Sequence, residues 1–310
     1  MVAASWIPLK SSARSRLLTA FTLGALSLGL CTPALGQAIV VGAKEFTEQL
    51  LVAEMSVQLL RAHGFNAHKG TGFATTGVRT LQESGIVDLY WEYTGTSLTI
   101  FNHITEKLSP DEGYERVKAL DAQRGLVWLS PSKVNNTYAL AMRRADAAAR
   151  RIRSISDLAA KVREGEGIKL ASTFEFLSRT DGLQPLQQTY GFKFTLGNVV
   201  GMDTGAIYNA LRRGFDVGVV FATDGRIAAF DLTVLRDDQG FFPSYLLTPV
   251  MREATLNRYP ALKPVLEGLS AQLDNETMVA LNSAVDLEGR KLEDVASEFV
   301  RSRGLVEKLP

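Results

Sequence analysis

Short apolar segments alternate with amphipathic helical patterns along almost the whole chain after residue 37. Residues 38–42 read AIVVG, which is typical of a buried strand, and residues 47–63 repeat apolar side chains at helical spacing. A second series of strands and helices begins near Asn135, and from Glu253 onward the pattern is entirely helical. Such alternation predicts an α/β fold in which mainly parallel sheets are covered by helices.

The two series of elements predict two lobes without a flexible linker between them. The helices after Glu253 have no strands of their own, so we expect them to pack back on the first lobe. The chain would then pass between the lobes twice. The predicted division is a first lobe of residues 38–134 and 247–310, and a second lobe of residues 135–246. A cleft between two lobes is the default place for a ligand.

The first 36 residues have the layout of a secretory signal peptide. A basic region around Arg14 is followed by an apolar run of 14 residues, 17–30. A membrane span needs about 20 apolar residues, so this run is too short for one. The small residues near its end predict cleavage after Gly36 or Ala38, and therefore export of the mature protein.

Cys31 raises the alternative of a lipid anchor at the end of the apolar run. The residue before it is Leu30, whereas a lipidation signal requires a small residue there, so we expect free export. Cleavage would leave a mature chain without cysteine, which suits an oxidising compartment.

Composition and motifs argue against nucleic-acid binding, metal binding and catalysis. The formal net charge is +1 without a block of five like charges, whereas a nucleic-acid binder usually carries a basic stripe. The three histidines and one cysteine are not spaced as metal ligands. Gly70 and Gly72 begin a dinucleotide fingerprint, but Thr75 occupies the position of its third glycine. We therefore expect a protein that is not an enzyme and has no cofactor, no metal and no nucleic-acid partner.

Five short motifs, in order along the chain, resemble those of one protein family. They are GAKEFTEQ from Gly42, DLYWEYTGT from Asp88, NNTYAL from Asn135, FATDGRI from Phe221 and DDQGFFPSY from Asp237. The motifs resemble the substrate-binding proteins of ABC importers for quaternary amines such as glycine betaine, choline and carnitine, over residues 39–306. The resemblance implies a two-lobed type II periplasmic-binding-protein fold. It also implies a periplasmic monomer that delivers its ligand to a membrane permease driven by an ATPase.

The resemblance further implies a binding site made of aromatic rings. A trimethylammonium group has no N–H to donate, so ring faces, which attract cations and exclude water, are the expected walls. On the family motifs the cage residues are Tyr93, Tyr138, Phe221 and Tyr245. Family members commonly have tyrosine at the third position, so Phe221 keeps the ring face and lacks the hydroxyl. We expect Tyr90 and Phe242 to be core residues instead.

Polar side chains near the cage residues are candidates for holding the other end of the ligand. They are Gln49, Thr94, Thr96, Asn136, Thr75 and Thr76. Gln49 lies at a helix start, where backbone amides point at anions, while capping explains the two threonines at 75 and 76 equally well. Asp224 and Arg226 are expected to pair with each other or to orient a hinge. Lys44 either balances a ligand carboxylate or faces solvent.

The sequence leaves two alternatives open. One is a binding protein of the same fold for another cation or an amino acid. The other is a periplasmic enzyme built on the same scaffold, which turnover of choline esters would support.

Overall fold

A computed structural model describes residues 37–306, and the predicted signal peptide lies outside this range. The strands in the range are β1 (Ile39–Lys44), β2 (Ala67–Phe73), β3 (Leu89–Tyr93), β4 (Leu126–Trp128), β5 (Tyr138–Arg143), β6 (Leu170–Ser172), β7 (Val199–Gly201), β8 (Val217–Phe221), β9 (Leu232–Val234) and β10 (Leu247–Arg252).

Helices fill most of the rest of residues 37–306. They are α1 (Thr47–Ala62), α2 (Thr75–Glu83), α3 (Thr94–Thr96), α4 (Pro110–Ala122), α5 (Arg144–Arg150), α6 (Ile155–Arg163), α7 (Phe174–Ser178), α8 (Leu183–Tyr190), α9 (Thr204–Arg212), α10 (Arg226–Ala229), α11 (Glu253–Arg258), α12 (Leu262–Ser270), α13 (Asn275–Asp286) and α14 (Leu292–Ser302). A π-helical turn, Ser97–Phe101, follows α3 directly.

The strands form two five-stranded sheets, which confirms the predicted α/β class. The strand order is β2-β1-β3-β10-β4 in the first sheet and β7-β6-β8-β5-β9 in the second. Both sheets are mixed, but four of the five strands in each run in the same direction, which agrees with the prediction of mainly parallel sheets. The exceptions are β5 and β10, each antiparallel to both neighbours. Each is the first strand after the chain leaves the other sheet. A helical crossover makes neighbouring strands parallel, and no such crossover precedes β5 or β10 within its own sheet.

The two segments that join the sheets run side by side. One connects β4 to β5 and the other connects β9 to β10. The backbone N–H of Leu247 donates to the carbonyl of Val134 at 3.0 Å, and the N–H of Asn136 donates to the carbonyl of Tyr245 at 3.1 Å. These hydrogen bonds tie the joining segments into a short ribbon beside the candidate site.

Helix α1 is buried along most of its length beneath the first sheet and the terminal helices. It packs against β1, β2 and β3 on one side and against α12, α13 and α14 on the other. The helical C-terminal part of the chain therefore covers a helix formed near its start. None of the helices within residues 37–306 is both long and apolar enough to cross a membrane.

The region around residue 195 differs from its prediction. The apolar pattern at residues 194–196 predicts a strand, but the strand of this region is β7, which begins at Val199, three residues after the end of that segment. Phe194 is buried with its ring against Phe192, whereas Leu196 is 91% exposed in a 3-10 turn. The apolar residues here thus pack individually, and the backbone pairs only after the turn.

Candidate functional site

A cavity of about 1030 Å³ lies between elements of the two sheets. On one side it is lined by the first turns of α1 and α2 and by the end of β3. On the other side it is lined by the start of β5, the end of β8, and residues of α7 and α9. The cavity therefore occupies the place where a two-lobed fold is expected to hold a ligand.

Five aromatic rings form a continuous wall of this cavity, which we call the ring wall. Between ring centroids, Tyr138 lies 4.9 Å from Phe221 and 5.7 Å from Tyr245. Phe46 lies 5.5 Å from Phe221 and 6.3 Å from Tyr93, so it links the remaining ring to the others. The structure thus brings together all four predicted rings and adds Phe46, which the sequence reasoning missed.

Strand ends position three of the rings. Tyr93 ends β3, Phe221 ends β8 and Tyr138 begins β5. In the antiparallel pair of β5 and β8, Tyr138 and Phe221 are directly opposite each other, which places their side chains in contact. The pairing of β5 with β8 therefore fixes the relative position of these two rings, which does not depend on a loop conformation.

Gly95 allows the ring of Tyr245, which does not lie on a strand, to approach the end of β3. A Cβ atom at position 95 would lie 2.8 Å from the Tyr245 ring and 2.8 Å from the carbonyl oxygen of Ser244. Only glycine leaves room for this contact. The small residue in the EYTGT motif is thus required by the packing of the joining segment against α3.

Glu48 is a buried acceptor that lines the cavity beside the ring wall. It receives hydrogen bonds from the hydroxyls of Tyr93 at 2.6 Å and Thr223 at 2.5 Å. The side-chain amides of Asn136 and Asn282 donate to it at 2.9 Å and 3.4 Å. Burial raises the pKa of the Glu48 carboxyl above 4.5, and the four hydrogen bonds oppose that effect. The sequence alone marks Glu48 only as an acid that the helix dipole favours in the first turn of α1.

Acidic side chains outnumber basic ones on the cavity wall. Six acidic and three basic residues line it. Each basic residue has an acidic partner: Lys44 with Glu92, Arg179 with Asp181, and Arg226 with Asp224. The Lys44 ammonium lies 5.1 Å from the ring centroid of Tyr93, and the Arg179 guanidinium lies 5.3 Å from that of Tyr138. The charge of the wall therefore favours a cation over an anion.

Two expectations about charged residues are resolved by these contacts. The predicted pairing of Asp224 with Arg226 is confirmed by two hydrogen bonds between their side chains. Lys44 is buried in its ion pair with Glu92, so the alternative that it faces solvent is wrong.

The polar candidates divide into residues that line the cavity and residues that do not. Thr75, Thr76, Thr96 and Asn136 line it, whereas Gln49 and Thr94 do not. The amide of Gln49 donates to the carbonyl of Trp91 at 2.9 Å. The hydroxyl of Thr94 donates to the carbonyl of Ser244 at 2.9 Å and accepts from the N–H of Leu246 at 3.0 Å. These two side chains hold the backbone behind the site.

Capping does not account for the two threonines at the start of α2. The residue before the helix is Ala74, and no side chain there accepts a hydrogen bond from the first turn. Thr75 is buried, and Thr76 is exposed toward the cavity. Their hydroxyls are therefore available to the cavity rather than used by the helix.

The two aromatic residues predicted to be core residues lie behind the ring wall. Tyr90 is fully buried, and its hydroxyl donates to Glu92 at 2.9 Å. Phe242 packs against Phe176 and Tyr138, with ring centroids 6.2 Å and 6.5 Å away. Neither residue lines the cavity.

The sequence and structure match a known family. The family described as the substrate binding domain of ABC-type glycine betaine transport systems matches residues 37–302. A glycine-betaine-binding protein of Pseudomonas aeruginosa is 40% identical over 300 residues, which cover 94% of this chain and 96% of that protein. The glycine betaine-binding protein YehZ of Escherichia coli is 34% identical over 274 residues, 85% of this chain and 90% of that one.

The fold is shared with solved structures of the same kind. A crystal structure described as a glycine betaine/carnitine/choline ABC transporter has a TM-score of 0.71 and 26% sequence identity to this chain. The match covers 87% of this chain and 100% of that one. The chain therefore belongs to the family of substrate-binding domains of ABC-type glycine betaine transport systems, and it has their two-lobed type II periplasmic-binding-protein fold.

Proposed function

We propose that this protein is the solute-binding component of an ABC importer and captures a quaternary ammonium compound such as glycine betaine, choline or carnitine. The observation that carries the proposal is the ring wall on a cavity whose charged residues are mainly acidic. A quaternary nitrogen cannot donate a hydrogen bond, so ring faces and negative potential are the interactions that remain to it.

In this proposal the rings hold the cationic end and nearby polar groups hold the other end. Tyr93, Tyr138, Phe221 and Tyr245 are the cage residues, with Phe46 as a fifth ring. A hydroxyl or carboxylate of the ligand contacts the polar residues that line the cavity, namely Thr76, Thr96 and Asn136. Gln49 and Thr94 are left out, because their side chains are engaged with the backbone away from the cavity.

The position of Phe221 is consistent with a ring that acts through its face. Phe46 stacks on it with the two ring planes inclined by only 3°. Tyr138 covers it from another side at 4.9 Å. The hydroxyl that family members commonly carry here is therefore not needed to hold this ring in place.

The proposal also assigns the two lobes and their movement. The first lobe comprises residues 38–134 and 247–310, and the second comprises residues 135–246. The lobes close on the ligand about the paired joining segments. Support comes from the ring wall, because Tyr93 belongs to the first sheet whereas Tyr138 and Phe221 belong to the second.

The proposal extends to the localisation of the protein and to its partners. The protein is exported to the periplasm with a cleavable signal peptide of residues 1–36, acts as a monomer, and docks on the permease of an ABC transporter. The relatives named above support the binding role. An ergothioneine transport permease/ergothioneine binding protein of Helicobacter pylori, 32% identical over 86% of this chain and 48% of its own length, supports a permease partner.

Titration calorimetry with glycine betaine, choline, carnitine and a set of amino acids tests the proposal. We expect saturable binding of at least one quaternary amine and none of amino acids that lack a quaternary nitrogen. Binding of amino acids alone would replace the proposal with the amino-acid alternative. Turnover of a choline ester by the purified protein would replace it with the enzyme alternative.

A further inference from the structure

Glu48 is a buried carboxyl beside the ring wall that has neutral partners only. Its exposed fraction is 2%, and its hydrogen-bond donors are the two hydroxyls and two amides described above. None of the ion pairs formed within residues 37–306 includes it. A buried carboxyl without a counter-charge is costly and is commonly found where a ligand supplies the missing charge.

The charged groups around Glu48 do not supply that charge. Lys44 on β1 pairs with Glu92 on β3. Beyond β8, Arg226 lies between Asp224 and Asp286, which forms a cluster with an excess of acid. The basic side chains around Glu48 are therefore already neutralised by other carboxylates. A cation bound in the cavity would be the nearest positive charge that is not paired with another acid.

We propose that Glu48 is the counter-charge of the bound ligand and makes the site prefer a positively charged ligand over a neutral one of the same shape. The inference rests on the proposed function, because it assumes that the cavity holds a quaternary ammonium group. Glu48 lines the cavity and touches the ring wall through a single hydrogen bond.

Tyr93 transmits the effect of Glu48 to the ring wall. Its hydroxyl donates to the Glu48 carboxyl at 2.6 Å. Hydrogen-bonded groups polarise one another, so a phenol that donates to a carboxylate has a more electron-rich ring. The face of such a ring attracts a cation more strongly. Glu48 thus acts on the ligand both by its own charge and through Tyr93.

The charge preference should also depend on pH. Burial raises the pKa of Glu48, while a cation nearby lowers the pKa of a carboxyl. Binding of a cation and loss of the Glu48 proton therefore favour each other. Affinity for the cation should increase as pH rises through the titration of Glu48, and affinity for a neutral ligand should not.

The test compares a quaternary amine with its carbon isostere. Choline is paired with 3,3-dimethylbutan-1-ol, a neutral alcohol of the same shape in which carbon replaces the quaternary nitrogen. We expect E48Q to lower the ratio of the two affinities by about tenfold, as loss of one interacting charge predicts. Glu54→Gln is the matched control, because Glu54 lies on the same helix, pairs with Lys69 and does not line the cavity. It should leave the ratio unchanged.

The outcomes distinguish an effect of the Glu48 charge on the ligand from a structural role of Glu48 and from failure of the proposed function. If Glu48 only supports the fold, E48Q weakens both compounds equally and the inference is overturned. Should E48Q fail to fold, the ratio of the two affinities is measured on the wild-type protein between about pH 4 and pH 8. A ratio that does not change with pH overturns the inference. If the wild-type protein binds no quaternary amine, the proposed function fails too. If it binds the amine and the isostere equally well, only the inference about Glu48 fails.

Discussion

The ring of Phe46 lies face to face with the ring of Phe221, with centroids 5.5 Å apart and planes inclined by 3°. Phe46 directly precedes α1, which packs against the first sheet, and Phe221 ends β8 in the second sheet. Stacked rings contribute about 0.5–1.5 kcal/mol beyond the burial of their surface. The contact therefore joins the two halves of the protein at the same place where the ligand is expected to bind.

Replacing Phe46 should weaken ligand binding more than it weakens the fold. Phe46→Ala removes the ring that links Tyr93 to Phe221, so we expect a loss of affinity of about tenfold. The matched control is Phe65→Ala, which removes a ring that contacts Tyr259 and does not line the cavity. It should lower the melting temperature and leave the affinity unchanged. Calorimetric titration of both variants measures the two affinities. Wild-type affinity in Phe46→Ala would show that the ring of Phe46 does not contribute to binding.

Two substitutions at Tyr93 separate its ring from its hydroxyl. Tyr93→Ala loses a desolvated ring face, which should cost about 2 kcal/mol, or roughly 30-fold in Kd. Tyr93→Phe keeps the face but removes one donor to Glu48, so its loss should be smaller. It should also destabilise the unliganded protein by about 1–3 kcal/mol.

Calorimetry and melting of the unliganded variants check this prediction. Equal weakening by both substitutions in folded protein would show that the hydroxyl, rather than the ring face, carries the binding. Unchanged affinity in both would place Tyr93 outside the site.

Asp121 should make the fold sensitive to acid. Arg79 donates two hydrogen bonds to it, at 2.8 Å and 2.7 Å, and the indole of Trp128 donates a third at 2.8 Å. Burial alone would raise the pKa of Asp121, but the hydrogen bonds and charge of Arg79 outweigh burial and hold the pKa below 3.8. Because the folded pKa is the lower one, this stabilisation is complete above about pH 4 and is lost as pH falls through the folded pKa.

Urea unfolding at several pH values measures the contribution of Asp121. Asp121→Asn should lower the free energy of unfolding at pH 7, and its difference from the wild type should shrink below about pH 4. A difference that is the same at every pH would show that the charge of Asp121 does not contribute.

Ligand should bring the two lobes together, because the ring wall takes rings from both sheets. Small-angle scattering of the protein saturated with a quaternary amine should give a smaller radius of gyration than the unliganded protein. An amino acid that does not bind serves as the control at the same concentration. An unchanged radius at saturation would argue against closure about the joining segments.

The exported protein should begin at Gln37 or Ile39, since the small residues around Gly36 suit signal cleavage. The intact mass of the protein recovered from the periplasm measures this start. A mass that corresponds to an acylated N-terminal Cys31 would show a lipid anchor instead.

Local patterns in the sequence were sufficient for most of the elements, and the resemblance to the family was sufficient for four of the five rings. The apolar spacing predicted α1 at residues 47–63, and the helix observed is Thr47–Ala62. Tyr93, Tyr138, Phe221 and Tyr245 were identified from motifs, and the structure places all four on one cavity. The helix prediction depends on apolar periodicity within a short stretch of chain. The four rings follow from the resemblance of their motifs to the family, and their role in binding stays a prediction.

Only the tertiary structure decided which neighbouring side chains face the cavity. Phe46, Glu48 and Gln49 lie within four residues, yet the first two line the cavity and Gln49 turns to the backbone of β3. Two of the four partners of Glu48, Tyr93 and Thr223, are 45 and 175 residues away in sequence. The direction of each side chain is set by the elements that pack on its helix, and local spacing contains no information about which distant elements these are.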